Sequence, residues 1–314
     1  MIVVFDTNAY RNLGAGRTAK ETMTFVEEML IKEESLGIKA HMSTTVAMEL
    51  LYHLQDNTLW KSYRSCIKAA PAMYLHCGDD SQFRLLPLPE AQIAKTFYGI
   101  EASSSVMTQQ AIGQILYELS KGDATTISAK YSIELAKVHT FIADADANLA
   151  MEMDSLLAVF APNYKHDWYP FVNDESNRRK YLNMVDSNEF DTCTAKAFII
   201  AVGMMLHSKG LIQRVPLYNE LDNAAEIYVK NYGPSLLFRR RFFKYLAGGG
   251  FDITKNSRAN YMWDEQILHF AGQTVNGEPI LMVTTDGNMK AAIHDFDASI
   301  PAKTLDEYLV FLGM

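Results

Sequence analysis

The chain has 314 residues, is 48% apolar and 21% charged, and carries a formal charge of −8. This is an ordinary globular profile, long enough for one large or two modest domains, and the acidic balance speaks against broad affinity for nucleic acid. Three cysteines, Cys66, Cys77 and Cys193, form no CxxC pair and cannot all pair with one another, which fits a reducing compartment and supplies no zinc spacing even with His76 beside Cys77.

The chain opens on a strand-like run, Ile2 to Phe5, without the longer apolar stretch of a signal peptide. The longest apolar run, Ala197 to Leu206, is far short of the roughly 20 residues that span a bilayer. A soluble cytoplasmic protein with no membrane segment is therefore expected. Met23, Val26, Met29 and Leu30 fall at helical spacing and predict a helix over Ala19 to Ser35, closed by Gly37. Ile38 to Met42 reads as a second strand. Ser43 or Thr44 can cap a helix carrying Val46, Leu50 and Leu51. Strand, helix, strand, helix favours a parallel sheet with covering helices.

From about Trp60 to Ala247 strand signals give way to helical ones. Ile127, Tyr131, Leu135, Val138, Ile142, Ala145, Leu149, Met153 and Leu156 recur at steps of three and four, predicting one continuous helix over Thr126 to Leu157. Further helices are expected near Asp174–Val185, Thr192–His207 and Leu217–Asn231. Gly248-Gly249-Gly250 reads as a flexible joint. Beyond it come a helix through Trp263, Ile267 and Phe270, an apolar strand Ile280 to Thr284, a short strand at Ser299-Ile300 and a terminal helix, Leu305 to Leu312. The expected organisation is an α/β domain in two pieces, residues 1–58 and 248–314, interrupted by an all-helical insertion, 59–247. That insertion offers a surface for a protein partner or a second copy of the chain.

Chemistry concentrates where apolar strands end in acids. Val3-Val4-Phe5-Asp6-Thr7-Asn8 puts a carboxylate just past one strand, and Ile280-Leu281-Met282-Val283-Thr284-Thr285-Asp286 repeats the arrangement. Ligands of open α/β sheets bind outside the carboxyl ends of strands. Two carboxylates on one rim repel, and a hard divalent cation offsets them better than a shared proton.

The run Val-Val-Phe-Asp-Thr-Asn, with Leu13 following, resembles the first motif of PIN-domain nucleases. Ser43-Thr44-Thr45-Val46-Ala47-Met48-Glu49-Leu50 is similar to the second, Trp263-Asp264-Glu265-Gln266-Ile267-Leu268 to the third, and Val283-Thr284-Thr285-Asp286-Gly287-Asn288 to the fourth. The resemblance covers roughly the first 58 and last 65 residues. It implies a PIN-like parallel sheet and a phosphodiester hydrolase, with RNA as substrate and DNA as the alternative, in which Asp6, Glu49, Asp264 and Asp286 hold one or two Mg²⁺ or Mn²⁺ ions. Asn8, Thr285 and Asn288 would stand around that set, with Asn8 and Thr285 orienting a carboxylate or bound water. Asn288 occupies a place where many members carry another acid. Asp191, read as a helix N-cap, and Glu265 compete with Asp264 for the third position.

The run Phe238-Arg239-Arg240-Arg241-Phe242-Phe243-Lys244-Tyr245 is basic and aromatic, so Arg239, Arg240, Arg241 and Lys244 are candidates to grip substrate. An amphipathic helix with a solvated basic face is the alternative. Two further functions stay open: a haloacid-dehalogenase-like phosphatase, which also begins with strand and Asp but wants a second Asp where Asn8 stands, and a non-catalytic scaffold binding RNA or protein.

Overall fold

Residues from opposite ends of the sequence build one sheet. A computed structural model describes residues 1–55, 60–78, 84–101, 104–251 and 259–314. Its strands are β1 (Ile2–Phe5), β2 (Lys39–Ala40), β3 (Met42–Ser43), β4 (Leu85–Leu86), β5 (Thr274–Val275), β6 (Glu278–Val283) and β7 (Ala302–Lys303). β1 lies between β2 and β6, parallel to both, and Phe5 stands opposite Val283. β7 pairs with β6 in parallel, and β5 closes an antiparallel hairpin onto the start of β6. β3 and β4 form a separate parallel pair. Every residue of β1 is buried, as expected of a parallel strand covered on both faces. Burying a side chain of this size stabilises by about 1.5–3 kcal/mol.

The expected second strand is two short pieces, β2 and β3, separated at His41, whose N–H still donates to Val3 O at 2.9 Å. The expected strand at Ser299-Ile300 lies slightly later, as β7. The predicted helix over Ala19–Ser35 is present, opened by a Thr18–Glu21 capping box. Gly37, at φ 66, takes the left-handed turn that lets Ile38 N–H reach Glu33 O at 2.8 Å.

The chain is mixed α/β, with a mostly parallel sheet and many helices. It divides into two compact units: the first is Met1–Gln92, Glu101–Thr140 and Gln266–Met314, the second Ile93–Ile100 and Phe141–Glu265. These are not the boundaries that hydropathy suggests. The junction expected between residues 58 and 59 lies outside the described residues. Much of the expected insertion belongs with the sheet, because the helix Trp60–Cys77 packs on Thr7–Leu13, Ala19–Ser35 and Thr44–Gln55. Lys68 Nζ donates to Gly14 O (2.6 Å) and Arg17 O (2.9 Å), and His76 Nε2 meets the Glu33 carboxylate at 2.9 Å. Tyr10 and Tyr308 complete this buried polar cluster through His76 Nδ1 (3.0 Å) and Glu33 Oε1 (2.5 Å).

In the second unit the helices Asn188–Ser208 and Asp222–Gly249 share a core through Ile199, Val202, Leu206, Tyr228, Tyr232 and Leu236. The second of these helices runs well past Asn231, kinking at Tyr232, two residues before Pro234. By length and composition alone Asn188–Ser208 could cross a membrane, although its Ala195, Ile199, Val202 and Leu206 are buried in this core. The helix expected over Thr126–Leu157 is two helices, Ala124–Lys130 and Ser132–Phe160, broken at Tyr131. Gly248 and Gly249 end a helix and Gly250 caps it, so the triple glycine is a helix terminus and not a joint.

Candidate functional site

The β1–β6 register decides the neighbourhood of Asp6. Because Phe5 faces Val283, Asp6 and Thr284 leave the sheet side by side, and Asp6 N–H donates to Val283 O at 2.9 Å. The Thr284 hydroxyl donates to Asp6 Oδ2 at 2.5 Å, and the Thr285 backbone N–H donates to the same oxygen at 3.3 Å. Asp6 Oδ1 accepts the Ala9 N–H at 2.5 Å, capping the helix Thr7–Leu13. Asp6 is 1% exposed. Burial pushes its carboxyl up to about 6, opposed by these three hydrogen bonds and assisted by the charge of Asp286.

Glu49 lies on the helix Thr44–Gln55, which begins directly after β3. The Thr44 hydroxyl donates to Leu86 O at 2.7 Å, tying the start of that helix to β4. The Thr7 hydroxyl donates to Glu49 Oε2. Burial pushes the Glu49 carboxyl up to about 7; the Thr7 bond and the Arg11 charge hold it down, and the charge of Asp6 raises it further. Asp286, half-buried, follows β6 by two threonines. Its Oδ1 accepts N–H donors from Asn288 (2.6 Å) and Met289 (3.0 Å), capping the helix Gly287–Phe296.

Asp6, Glu49 and Asp286 thus belong to one unit, with the charge of Asp286 acting on Asp6 and that of Asp6 on Glu49. Among the described residues, none of the three forms an ion pair with Lys or Arg, and Glu49 Oε1 and Asp286 Oδ2 accept no hydrogen bond. Carboxylate oxygens left without a hydrogen bond, as on buried Glu49 and half-buried Asp286, are hard donors of the kind that suits Mg²⁺ or Mn²⁺. No three His, Cys, Asp or Glu side chains converge tightly enough to form a metal-holding group among the described residues.

Asp264 lies in the second unit, half-buried on the helix Ala259–Ile267. Its neighbour Glu265 is buried and ion-paired with Arg239 at 2.8 Å. Asp191 is not an N-cap: Ser187 caps that helix, and Asp191 in its first turn pairs with Arg240 at 2.6 Å. Asn8 is exposed, and Asn288 contributes its backbone N–H.

The basic run is a structural element of the second unit. Arg239 is buried between Glu265 and Glu152, Arg240 is paired with Asp191, and Lys244 with Asp186. Arg241 is half-buried on the same helix. Phe242 stacks on Tyr261 at 3.7 Å between centroids, so the expected aromatic face meets a protein ring. The alternative, an amphipathic helix with a solvated basic face, holds in part: the Lys244 side chain is 41% exposed in its pair with Asp186, whereas Arg239 is buried.

Thr7 and Thr284, the hydroxyl donors to Glu49 and Asp6, are the site residues that sequence reasoning misses, together with Arg11. Their only signal is nearness to a motif acid: Thr7 follows Asp6 directly, Thr284 stands two residues before Asp286, and Arg11 lies one helical turn past Thr7. No protein-family model, no curated protein and no solved structure matches the chain.

Proposed function

We propose that the chain is a metal-dependent nuclease of the PIN-like type that its motifs resemble, acting on RNA in the cytoplasm, with Asp6, Glu49 and Asp286 as its metal ligands. The observation that carries this reading is the pair of buried carboxylates, Asp6 directly after β1 and Glu49 on the helix that follows β3, whose proton affinities are raised to about 6 and about 7. Such groups are held ready for a cation or a proton, and perturbed acids of this kind cluster at functional sites.

A bound Mg²⁺ or Mn²⁺ would supply an activated water and stabilise charge on the phosphate oxygens. The chain's own residues prepare the site. Thr284 and Thr7 fix the orientations of Asp6 and Glu49, and the Ala9 N–H leaves Asp6 Oδ1 a second lone pair. Arg11 places positive charge near Glu49. Asp264 belongs to the second unit, so the first three acids are the core of the proposal.

A haloacid-dehalogenase-like mechanism fits poorly, because Asp6 would have to attack phosphate while both its oxygens accept hydrogen bonds in a buried cap. The non-catalytic reading draws on one specific observation, the lack of a converged three-ligand group among the described residues. The test is labelled RNA incubated with wild type, Asp6→Asn and Asp286→Asn, with and without Mn²⁺, beside a calorimetric Mn²⁺ titration. The nuclease reading expects Mn²⁺-dependent cleavage by wild type alone. Cleavage surviving in both variants removes this site; no stoichiometric Mn²⁺ heat favours the scaffold.

A further inference from the structure

A cleft of about 500 Å³ opens in the first unit next to the acidic rim. Its lining includes Thr285, whose N–H donates to Asp6 Oδ2, so the cleft and the carboxylates share a residue. Asn12, Arg17, Phe25, Asp306 and Leu309 also line it. The Arg17 guanidinium lies over the Phe25 ring, 4.0 Å from its centroid, and Nη1 donates to Leu13 O at 2.9 Å. Among the described residues Arg17 forms no ion pair, in contrast to Arg239, Arg240 and Lys244, each answered by a carboxylate.

A guanidinium held over a ring, with one N–H bonded to a carbonyl, keeps its remaining N–H donors in a planar fork, the geometry that binds a phosphate through two oxygens. Its outer face can also carry a base, since unstacked bases of single strands are taken up on aromatic and arginine planes. The volume is within the range of small-ligand sites. Asn12 and Asp306 offer donor and acceptor atoms to a base edge, and the charge of Asp306 disfavours a second phosphate in the same space. In a chain of net charge −8, a cation outside ion-pair reach of any described carboxylate, its charge felt only by exposed Glu21, is where a polyanion can be drawn in.

We propose that this cleft seats the nucleotide adjoining the scissile phosphate of a single-stranded nucleic acid, with Arg17 binding its flanking phosphate. The inference rests on the nuclease reading of the neighbouring carboxylates. The cleft, unlike the run Phe238 to Tyr245, has its cation available.

The experiment is fluorescence anisotropy of a short labelled single-stranded RNA in EDTA, where metal-dependent cleavage is off. Wild type is expected to bind. Arg17→Ala should weaken binding roughly tenfold, the loss of one charge-assisted contact, and should flatten the dependence of affinity on salt by about one phosphate. Arg17→Lys, which keeps the charge without the planar fork, should fall between and serves if the alanine variant loses its circular dichroism. With Mn²⁺, both variants should raise KM with little change in kcat and leave the calorimetric Mn²⁺ heat as in wild type. Equal RNA affinity of wild type and both variants overturns the proposal, as does a wild type that binds no RNA. Wild type that binds through Arg17 yet cleaves nothing with Mn²⁺ upholds the cleft and removes only the nuclease reading.

Discussion

A carboxyl group that ionises near neutrality makes the fold sensitive to its proton. Glu49 is raised from 4.5 to about 7 and Asp6 from 3.8 to about 6, both chiefly by burial. The folded state therefore binds these protons more tightly than the unfolded chain. The stabilisation is complete below the unfolded values and disappears as pH climbs through the folded ones. Each shift corresponds to on the order of 3 kcal/mol. In metal-free protein the melting temperature should fall as pH rises from about 5 to about 8. Glu49→Gln, which can still accept from Thr7, should flatten that slope, and saturating Mn²⁺ should restore stability at the alkaline end. A wild-type profile that does not slope would contradict the burial argument. Thr7→Val removes the hydroxyl that favours ionised Glu49. It should push this titration higher and weaken Mn²⁺ binding about tenfold at neutral pH, read by calorimetry. The acids themselves were visible in the sequence, since Asp6 and Asp286 stand beyond uninterrupted apolar strands and Glu49 sits on the helix after one. The threonines were not. Thr284 meets Asp6 only because Phe5 registers with Val283, a pairing that no local pattern encodes.

The helix Asp222–Gly249 shows how an element can be misread while its signal is present. Its buried positions Ala225, Tyr228, Tyr232, Leu236, Arg239, Phe243 and Leu246 step by three and four, so Arg239 lies on the apolar stripe and not on the basic face. Clustered arginines suggested a substrate grip; periodicity places one of them inside. Breaking a buried ion pair from one side costs about 3–5 kcal/mol. Arg239→Ala should accordingly lower the free energy of urea unfolding by an amount of that order, as a stability defect and not a selective loss of RNA affinity. The end of the same helix has its own constraint. Gly250 holds φ 71 and ψ 155, and a Cβ there would lie 2.4 Å from Tyr169 Cδ1. The backbone region alone costs other residues about 1–3 kcal/mol. Gly250→Ala should destabilise by at least that much in thermal unfolding, whereas a hinge would tolerate the change. Helix existence was largely legible, because apolar spacing reports it; the break at Tyr131 was not, since that tyrosine continues the apolar spacing.

At the level of the whole chain, the sheet joins positions from residue 2 to residue 303. That closure was legible, since both ends carry strand signals, whereas the centre shows few and its short β4 pairs only with β3. The division into units was not, because hydropathy reports that residues are helical without reporting which neighbours they cover; Trp60–Cys77 packs with the sheet's own helices. If Asp6, Glu49 and Asp286 hold one ion, Mn²⁺ should slow amide exchange together at Val3–Phe5 and Leu281–Val283, segments distant in sequence and hydrogen-bonded in space. Protection confined to one of them would mean that the acids do not act as a set. The same pairing orders events during synthesis. Chains emerge from the ribosome N-terminus first, and until residues 280–286 are free β1 lacks one of its two partners and Asp6 lacks the Thr284 hydroxyl. A nascent chain therefore carries no assembled acidic rim until the segment 280–286 has left the ribosome and paired with β1.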